Sequence, residues 1–141
     1  MKENWFDIVV VGGGMAGLYA ANAAVEKSRS LKVMLLTGSE LGAGGCSKRT
    51  HGINAAMNCD DSIELHIHDT ISGGGGINDR RLVEVLCTDI VERMKELEQW
   101  GLTLDKKGES YDVGTYGGST KSRAAEPLRR VLKTISSFME R

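Results

Sequence analysis

Phe6-Asp7-Ile8-Val9-Val10-Val11-Gly12-Gly13-Gly14-Met15-Ala16-Gly17 is an apolar run that enters Gly-x-Gly-x-x-Gly and continues into Ala-rich sequence. Strand, glycine turn and helix, in that order, are what a dinucleotide-binding turn requires. Gly12 permits the tight turn, Gly14 puts no side chain in the way of a pyrophosphate, and Gly17 lets the helix pack close to the strand. The helix after the turn directs its unpaired N–H groups and the positive end of its dipole at the phosphates. Gly13, Met15 and Ala16 complete the candidate phosphate-binding stretch.

Working outward, residues 6–11 read as a strand of the kind buried on both faces in a parallel sheet. A helix is expected over residues 15–27, with Leu18, Ala21, Ala24 and Val25 at helical spacing. Ser28-Arg29-Ser30 then links to a second apolar run, residues 31–36. This strand–helix–strand unit has the length of a right-handed crossover. The usual fingerprint ends its second strand with an acidic residue that grips the ribose hydroxyls. Here that position is Thr37, followed by Gly38-Ser39-Glu40. Thr37 and Ser39 offer weaker hydrogen bonds and Glu40 comes several residues late, which argues against a standard NAD site more than against nucleotide binding.

The chain has 141 residues, enough for one domain with a sizeable core. Its net charge of −1 gives no electrostatic case for nucleic acid or an anionic membrane. Eighteen glycines against a single proline fall in clusters between periodic segments, so they read as loops that turn sharply or approach a ligand. Cys46, Cys59 and Cys87 are odd in number and form no Cys-x-x-Cys, which suggests neither a zinc site nor a disulfide framework. A reducing, intracellular setting follows. Lys2 and Glu3 lead directly into the first strand, with no signal-peptide pattern and no apolar run of transmembrane length.

Residues 41–56 form a second glycine-rich loop with hydroxyls and the basic pair Lys48 and Arg49, suited to a phosphate or a flat ring; a plain surface loop is the other reading. Asp61-x-x-Glu64 is a capping-box pattern that starts a helix ending at Ser72-Gly73-Gly74-Gly75-Gly76. His66 and His68 are two apart, face different ways on that helix, and read as one packed and one solvent-facing side chain. Residues 79–100 are helical again, with Leu82, Val83, Leu86, Ile90, Val91, Met94 and Leu97 as the apolar stripe. A second capping pattern, Asp89-x-x-Glu92, suggests two helices joined near Cys87 and Thr88, with Cys87 a small core residue. Gly101 closes this region. Residues 102–113 read as a short hairpin around Lys107-Gly108. Tyr116-Gly117-Gly118-Ser119 is a further glycine loop, and residues 126–141 form a basic amphipathic helix.

The order of these blocks resembles the N-terminal part of the FAD-binding domain of the succinate dehydrogenase, fumarate reductase and L-aspartate oxidase flavoproteins. The blocks are the first-strand fingerprint, His51-Gly52-Ile53-Asn54-Ala55-Ala56, Asp61-Ser62-x-Glu64-Leu65-His66-x-x-Asp69-Thr70, Gly75-Gly76-Ile77-Asn78-Asp79, and Glu96-Leu97-Glu98-x-Trp100-Gly101 followed by Tyr116-Gly117-Gly118. The resemblance implies an α/β fold: a Rossmann-like FAD-binding domain, a parallel sheet with helices, incomplete within residues 1–141 and largely helical in its second half. It implies FAD bound in extended form. Gly12 to Gly17 would hold the pyrophosphate, Thr37, Gly38 and Ser39 would lie at the adenosine ribose, and Gly44, Gly45, Cys46, Ser47, Thr50, His51 and Gly52 would line the ribityl chain and isoalloxazine. The redox chemistry would be the flavin's. Its partners would be a dicarboxylate or amino-dicarboxylate substrate and a separate electron-transfer subunit. A cytoplasmic protein is expected, peripheral on a membrane only through such subunits.

Three departures from the family pattern matter. Respiratory members carry a flavin-linking histidine where this chain has Gly45, which implies non-covalent FAD. His51 replaces the first of a paired glycine, and Ala125-Glu126-Pro127 replaces a Thr-Gly. The family's capping domain, with its proton donor and carboxylate clamps, would not fall within residues 1–141. Catalytic residues therefore stay unassigned, with Arg123 and His51 the only acid–base candidates. A non-catalytic FAD- or nucleotide-binding module, an inactive truncated chain and an NAD-type dehydrogenase are the alternatives.

Overall fold

In the first unit of the computed structural model, β1 (Ile8–Val11) and β2 (Val33–Leu36) pair in parallel, with Ile8 opposite Val33 and Val11 opposite Leu36. The structure describes residues 5–41 and 52–125, which fall into two compact units. The backbone N–H of Lys32 donates to the Asp7 carboxylate at 2.8 Å and that of Asp7 to the Lys32 carbonyl at 2.9 Å, which sets the register at the start of the pair. The crossover is α1 (Met15–Lys27), with the bounds the sequence indicated. Leu18 and Ala21 are buried with Asn22, Ala24 is half-buried, and Val25 lies on the exposed side.

One expectation fails here. Val9 and Val11 are exposed, Val11 by 81%, so β1 is not covered on both faces. A parallel sheet is covered twice only when helices lie on both sides. Among the described residues of this unit, α1 is the only helix.

In the second unit, α2 (Ile63–Gly73) packs on α3 (Arg80–Gln99). The Ser62 hydroxyl caps α2, accepting the Leu65 N–H at 3.1 Å. The cap is therefore not Asp61, whose carboxylate is bound elsewhere. The break expected near Cys87 is absent. α3 runs for 20 residues, capped by the Asp79 carboxylate, which accepts from Arg81 N at 2.9 Å and Leu82 N at 3.3 Å. Asp89 lies inside the helix, where the backbone N–H groups already have partners and leave a cap nothing to satisfy.

The buried stripe of α3 is Val83, Cys87, Met94 and Leu97, continued by Trp100. Leu82 and Leu86, expected in the stripe, are 65% and 58% exposed. Each sits about 100° around the helix from the buried residue beside it. Cys87 is a core residue as read, its sulfur 3.8 Å from the Thr70 hydroxyl of α2. α3 closes with Gly101 at φ +102 and with Leu102 N bonded to the Leu97 carbonyl and Gly101 N to that of Glu98, both at 2.9 Å. This pair of bonds uses a left-handed glycine to satisfy the last carbonyls.

Two small antiparallel sheets complete the unit. β4 (Lys106–Lys107) and β5 (Ser110–Tyr111) form a hairpin narrower than expected, because Leu102 and Leu104 are buried in the extended segment before it. The Asn58 amide brackets Tyr111, accepting its N–H at 2.8 Å and donating to its carbonyl at 3.0 Å. The other sheet has the order β3 (Ile53–Asn54), β7 (Ala124–Ala125), β6 (Val113–Gly114). Strands of two residues are too short to show a period, so nothing in the sequence pattern signalled this sheet. The expected helix over residues 126–141 lies outside the described residues. Among the described residues no helix is long and apolar enough to cross a membrane.

Candidate functional site

The glycine turn sits at the carboxyl end of the parallel pair, where ligands bind in open α/β sheets. Gly12 N–H donates to the Leu36 carbonyl at 2.8 Å, and Gly12 has φ +119, a conformation that favours glycine. A Cβ on Gly17 would collide with the Gly12 carbonyl, so the close approach of helix to turn that the motif implies is present. A Cβ on Gly14, by contrast, would meet nothing within 4 Å among the described residues. Gly14 is the N-cap of α1, with no side-chain cap and no acidic residue in the first turn. The first N–H groups of the helix, beginning at Met15 and Ala16, receive no side-chain cap from the Gly14 position.

Thr37 joins this turn. A Cβ on Gly13 would lie 2.7 Å from the Thr37 hydroxyl oxygen, so the end of β2 is packed on the glycine stretch. That hydroxyl donates to the Ser39 carbonyl at 2.9 Å and accepts the Ser39 N–H at 3.3 Å, closing a local turn across Gly38. The structure thus brings together Gly12 to Gly17 with Thr37, Gly38 and Ser39. Gly44, Gly45, Cys46, Ser47, Thr50 and His51 lie outside the described residues. Gly52 is described and leads into β3.

The second unit holds a polar cluster that motif reading missed. Arg123, 1% exposed, sits between two carboxylates. Its Nε and Nη2 each reach an oxygen of Asp61 at 2.7 Å, and its Nη1 reaches Asp69 Oδ2 at 2.6 Å. Asp69 Oδ2 also accepts the Thr120 N–H and hydroxyl, both at 2.8 Å. Asp61 precedes the Ser62 cap and Asp69 lies in the second turn of α2, so no helical spacing in the sequence pairs them and no local signal marked the cluster. The neighbouring cleft of about 290 Å³ is lined by Asn54, His66, Asp69, Thr70, Ser119 and Arg123, among others. His66 is buried and its Nδ1 has no partner among the described residues, whereas the His68 side chain is 71% exposed; the two histidines divide as the helix spacing indicated.

The charges of the cluster are held fixed. The Arg123 fork keeps Asp61 below the ordinary carboxylate range. Burial alone would raise Asp69, but the bonds from Arg123 and Thr120 outweigh it and hold this carboxyl well below that range. Arg123 is pushed above its ordinary value, first by Asp61 and then, against burial, by Asp69. A guanidinium so held does not give up a proton, which removes Arg123 as an acid–base candidate. Burial, aided by the Arg123 charge, lowers His66 and keeps it neutral at pH 7.

A family model described as the FAD binding domain matches residues 7–138. The chain is 30% identical to one component of the fumarate reductase (CoM/CoB) of Methanothermobacter marburgensis, over 94% of its own length and 28% of that protein's. It is 38% identical to the L-aspartate oxidase of Synechocystis over 77% of its length and 19% of that protein's. The Mycobacterium smegmatis Sdh1 complex in the apo form superposes with a TM-score of 0.82 at 29% identity, over 95% of this chain and 24% of the other. The chain therefore spans about a quarter of the length of these relatives.

Proposed function

The chain belongs to the FAD binding domain family, and from that premise we propose that it is the FAD-binding portion of a flavoprotein oxidoreductase of the succinate dehydrogenase, fumarate reductase and L-aspartate oxidase type. Both units, residues 1–141, then form the N-terminal portion of one FAD-binding domain. The observation that carries the reading is the open space at Gly14 beside the uncapped start of α1. It fits a pyrophosphate, which needs close backbone approach and unpaired N–H donors.

Gly12 to Gly17 hold the pyrophosphate in this proposal, and Thr37, Gly38 and Ser39 border the adenosine ribose. Thr37 argues against a standard NAD site, since the residue at that position is not an acid and its hydroxyl is already engaged by Ser39. Gly44, Gly45, Cys46, Ser47, Thr50, His51 and Gly52 line the ribityl and ring end. When bound, FAD supplies hydride chemistry toward a dicarboxylate or amino-dicarboxylate. The substrate clamps, the proton donor and an electron-transfer subunit come from outside these residues. Any membrane attachment of a cytoplasmic protein comes through such subunits.

The test is direct. Purified protein titrated with FAD should quench flavin fluorescence to saturation, and acid precipitation should release all flavin to the supernatant, since Gly45 offers no linking side chain. Flavin retained in the pellet would overturn non-covalent binding. Saturable NADH binding without FAD binding would overturn the reading as a whole.

A further inference from the structure

We infer that Arg123 is a positioning residue for the Gly52 segment: the buried fork from Arg123 to Asp61 and Asp69 fixes β7, and β7 fixes the backbone that carries Gly52. The inference rests on the proposed FAD reading only for what Gly52 touches, and the mechanical coupling stands on geometry alone.

Arg123 immediately precedes β7, and its main chain is bonded on both sides. Its N–H donates to the Gly114 carbonyl at 3.1 Å, and its carbonyl accepts the Ala55 N–H at 2.9 Å. β7 then pairs with β3 through Ile53 opposite Ala125 and Asn54 opposite Ala124. At the next residue back, a Cβ on Gly52 would lie 2.8 Å from the Ala125 carbonyl oxygen, so Gly52 rests on β7 with no slack. Strands of two residues make few ladder bonds and do not hold a register by themselves. What holds this one is the side chain of Arg123, which reaches the residue before the α2 cap through Asp61 and the second turn of α2 through Asp69. Thr120, three residues before Arg123, reinforces the same oxygen of Asp69. Bonds to one helix region thus locate a strand pair that ends at a proposed cofactor contact. Binding sites keep their geometry only when the layer behind them is locked in this way.

The experiment compares Arg123→Lys with Met94→Ala, a core change in the same unit at a side chain with no polar donor for either carboxylate. Lysine keeps the charge but loses the planar fork. Amide exchange by mass spectrometry on the cofactor-free protein and FAD titration are both read well below the unfolding transition. With R123K, exchange at Ala55 and across residues 53–55 should speed up about tenfold, and FAD affinity should fall about tenfold, the scale seen one layer behind ligating groups. M94A should lower the melting temperature without either change. Unaltered exchange at Ala55 in R123K overturns the inference, as does an equal loss of FAD affinity in M94A. Should R123K fail to fold, Thr120→Val, which removes one donor to Asp69, carries the same test with smaller changes in the same direction. A wild-type protein that binds no FAD would overturn the functional reading, while the exchange comparison would still decide the coupling.

Discussion

Arg123 and Asp61 meet fork to fork, with two nitrogens of the guanidinium each 2.7 Å from a different oxygen of the carboxylate, and both side chains are 1% exposed. The sequence between them spans most of the second unit, so this contact joins its two ends. Asp61 precedes a helix and follows the capping pattern, yet its partner is an arginine 62 residues away.

The first prediction separates those two roles. Asp61→Ala leaves a buried guanidinium with only Asp69 as counter-charge and should cost about 3 kcal/mol or more. Ser62→Ala removes the true cap and should cost about 1 kcal/mol. Urea denaturation of both variants measures the difference, and an Asp61→Ala loss no larger than that of Ser62→Ala contradicts the ion-pair assignment.

Acid should destabilise the second unit in two stages. His66 is lowered from its ordinary 6.5, so the unfolded chain binds that proton more readily and stability drops as pH falls below 6.5. Asp61 and Asp69 are lowered from 3.8, so the stability they provide is complete above 3.8 and is lost as pH falls further. Melting curves from pH 7.5 to 3 should show both losses. Replacing His66 by Gln should flatten the upper stage and leave the lower one; a persistent upper slope would assign it to another group.

Within the glycine turn, two substitutions should behave oppositely. Gly17→Ala drives a Cβ into the Gly12 carbonyl and should unfold or strongly destabilise the first unit. Gly14→Ala has open space and an ordinary φ of −83°, so the fold should tolerate it. The same methyl group occupies the proposed pyrophosphate position, and FAD affinity should fall by about tenfold or more. Thermal melts with FAD titrations check both. Full affinity in Gly14→Ala would remove the phosphate from that position.

The aspartates of α3 give a further contrast. Asp79→Ala deletes a cap that accepts two N–H groups and should cost about 1 kcal/mol. Asp89→Ala, inside the same helix and exposed, should change stability by less than about 0.5 kcal/mol. Chemical denaturation of the pair distinguishes one continuous helix from two.

The sequence by itself determined the strand–glycine–helix–strand unit, because each step is local. The apolar run, the three glycines and the small residues of α1 act within a few positions of one another, and the helix bounds came out as read. Helix periodicity likewise set His66 and His68 on different sides, and the small apolar character of Cys87 marked it as a core residue. Tertiary structure decided what depended on distant partners. Periodicity marked α3 as amphipathic, but which of the neighbouring positions 82 and 83, or 86 and 87, turned inward depended on the packing with α2. Capping patterns at Asp61 and Asp89 were locally valid and globally overruled, one by a buried arginine and the other by an uninterrupted helix. The β3–β7 pairing joins residues 70 and 72 positions apart, and Arg123 reaches carboxylates 54 and 62 positions away; such pairing leaves no local trace for a single sequence to display.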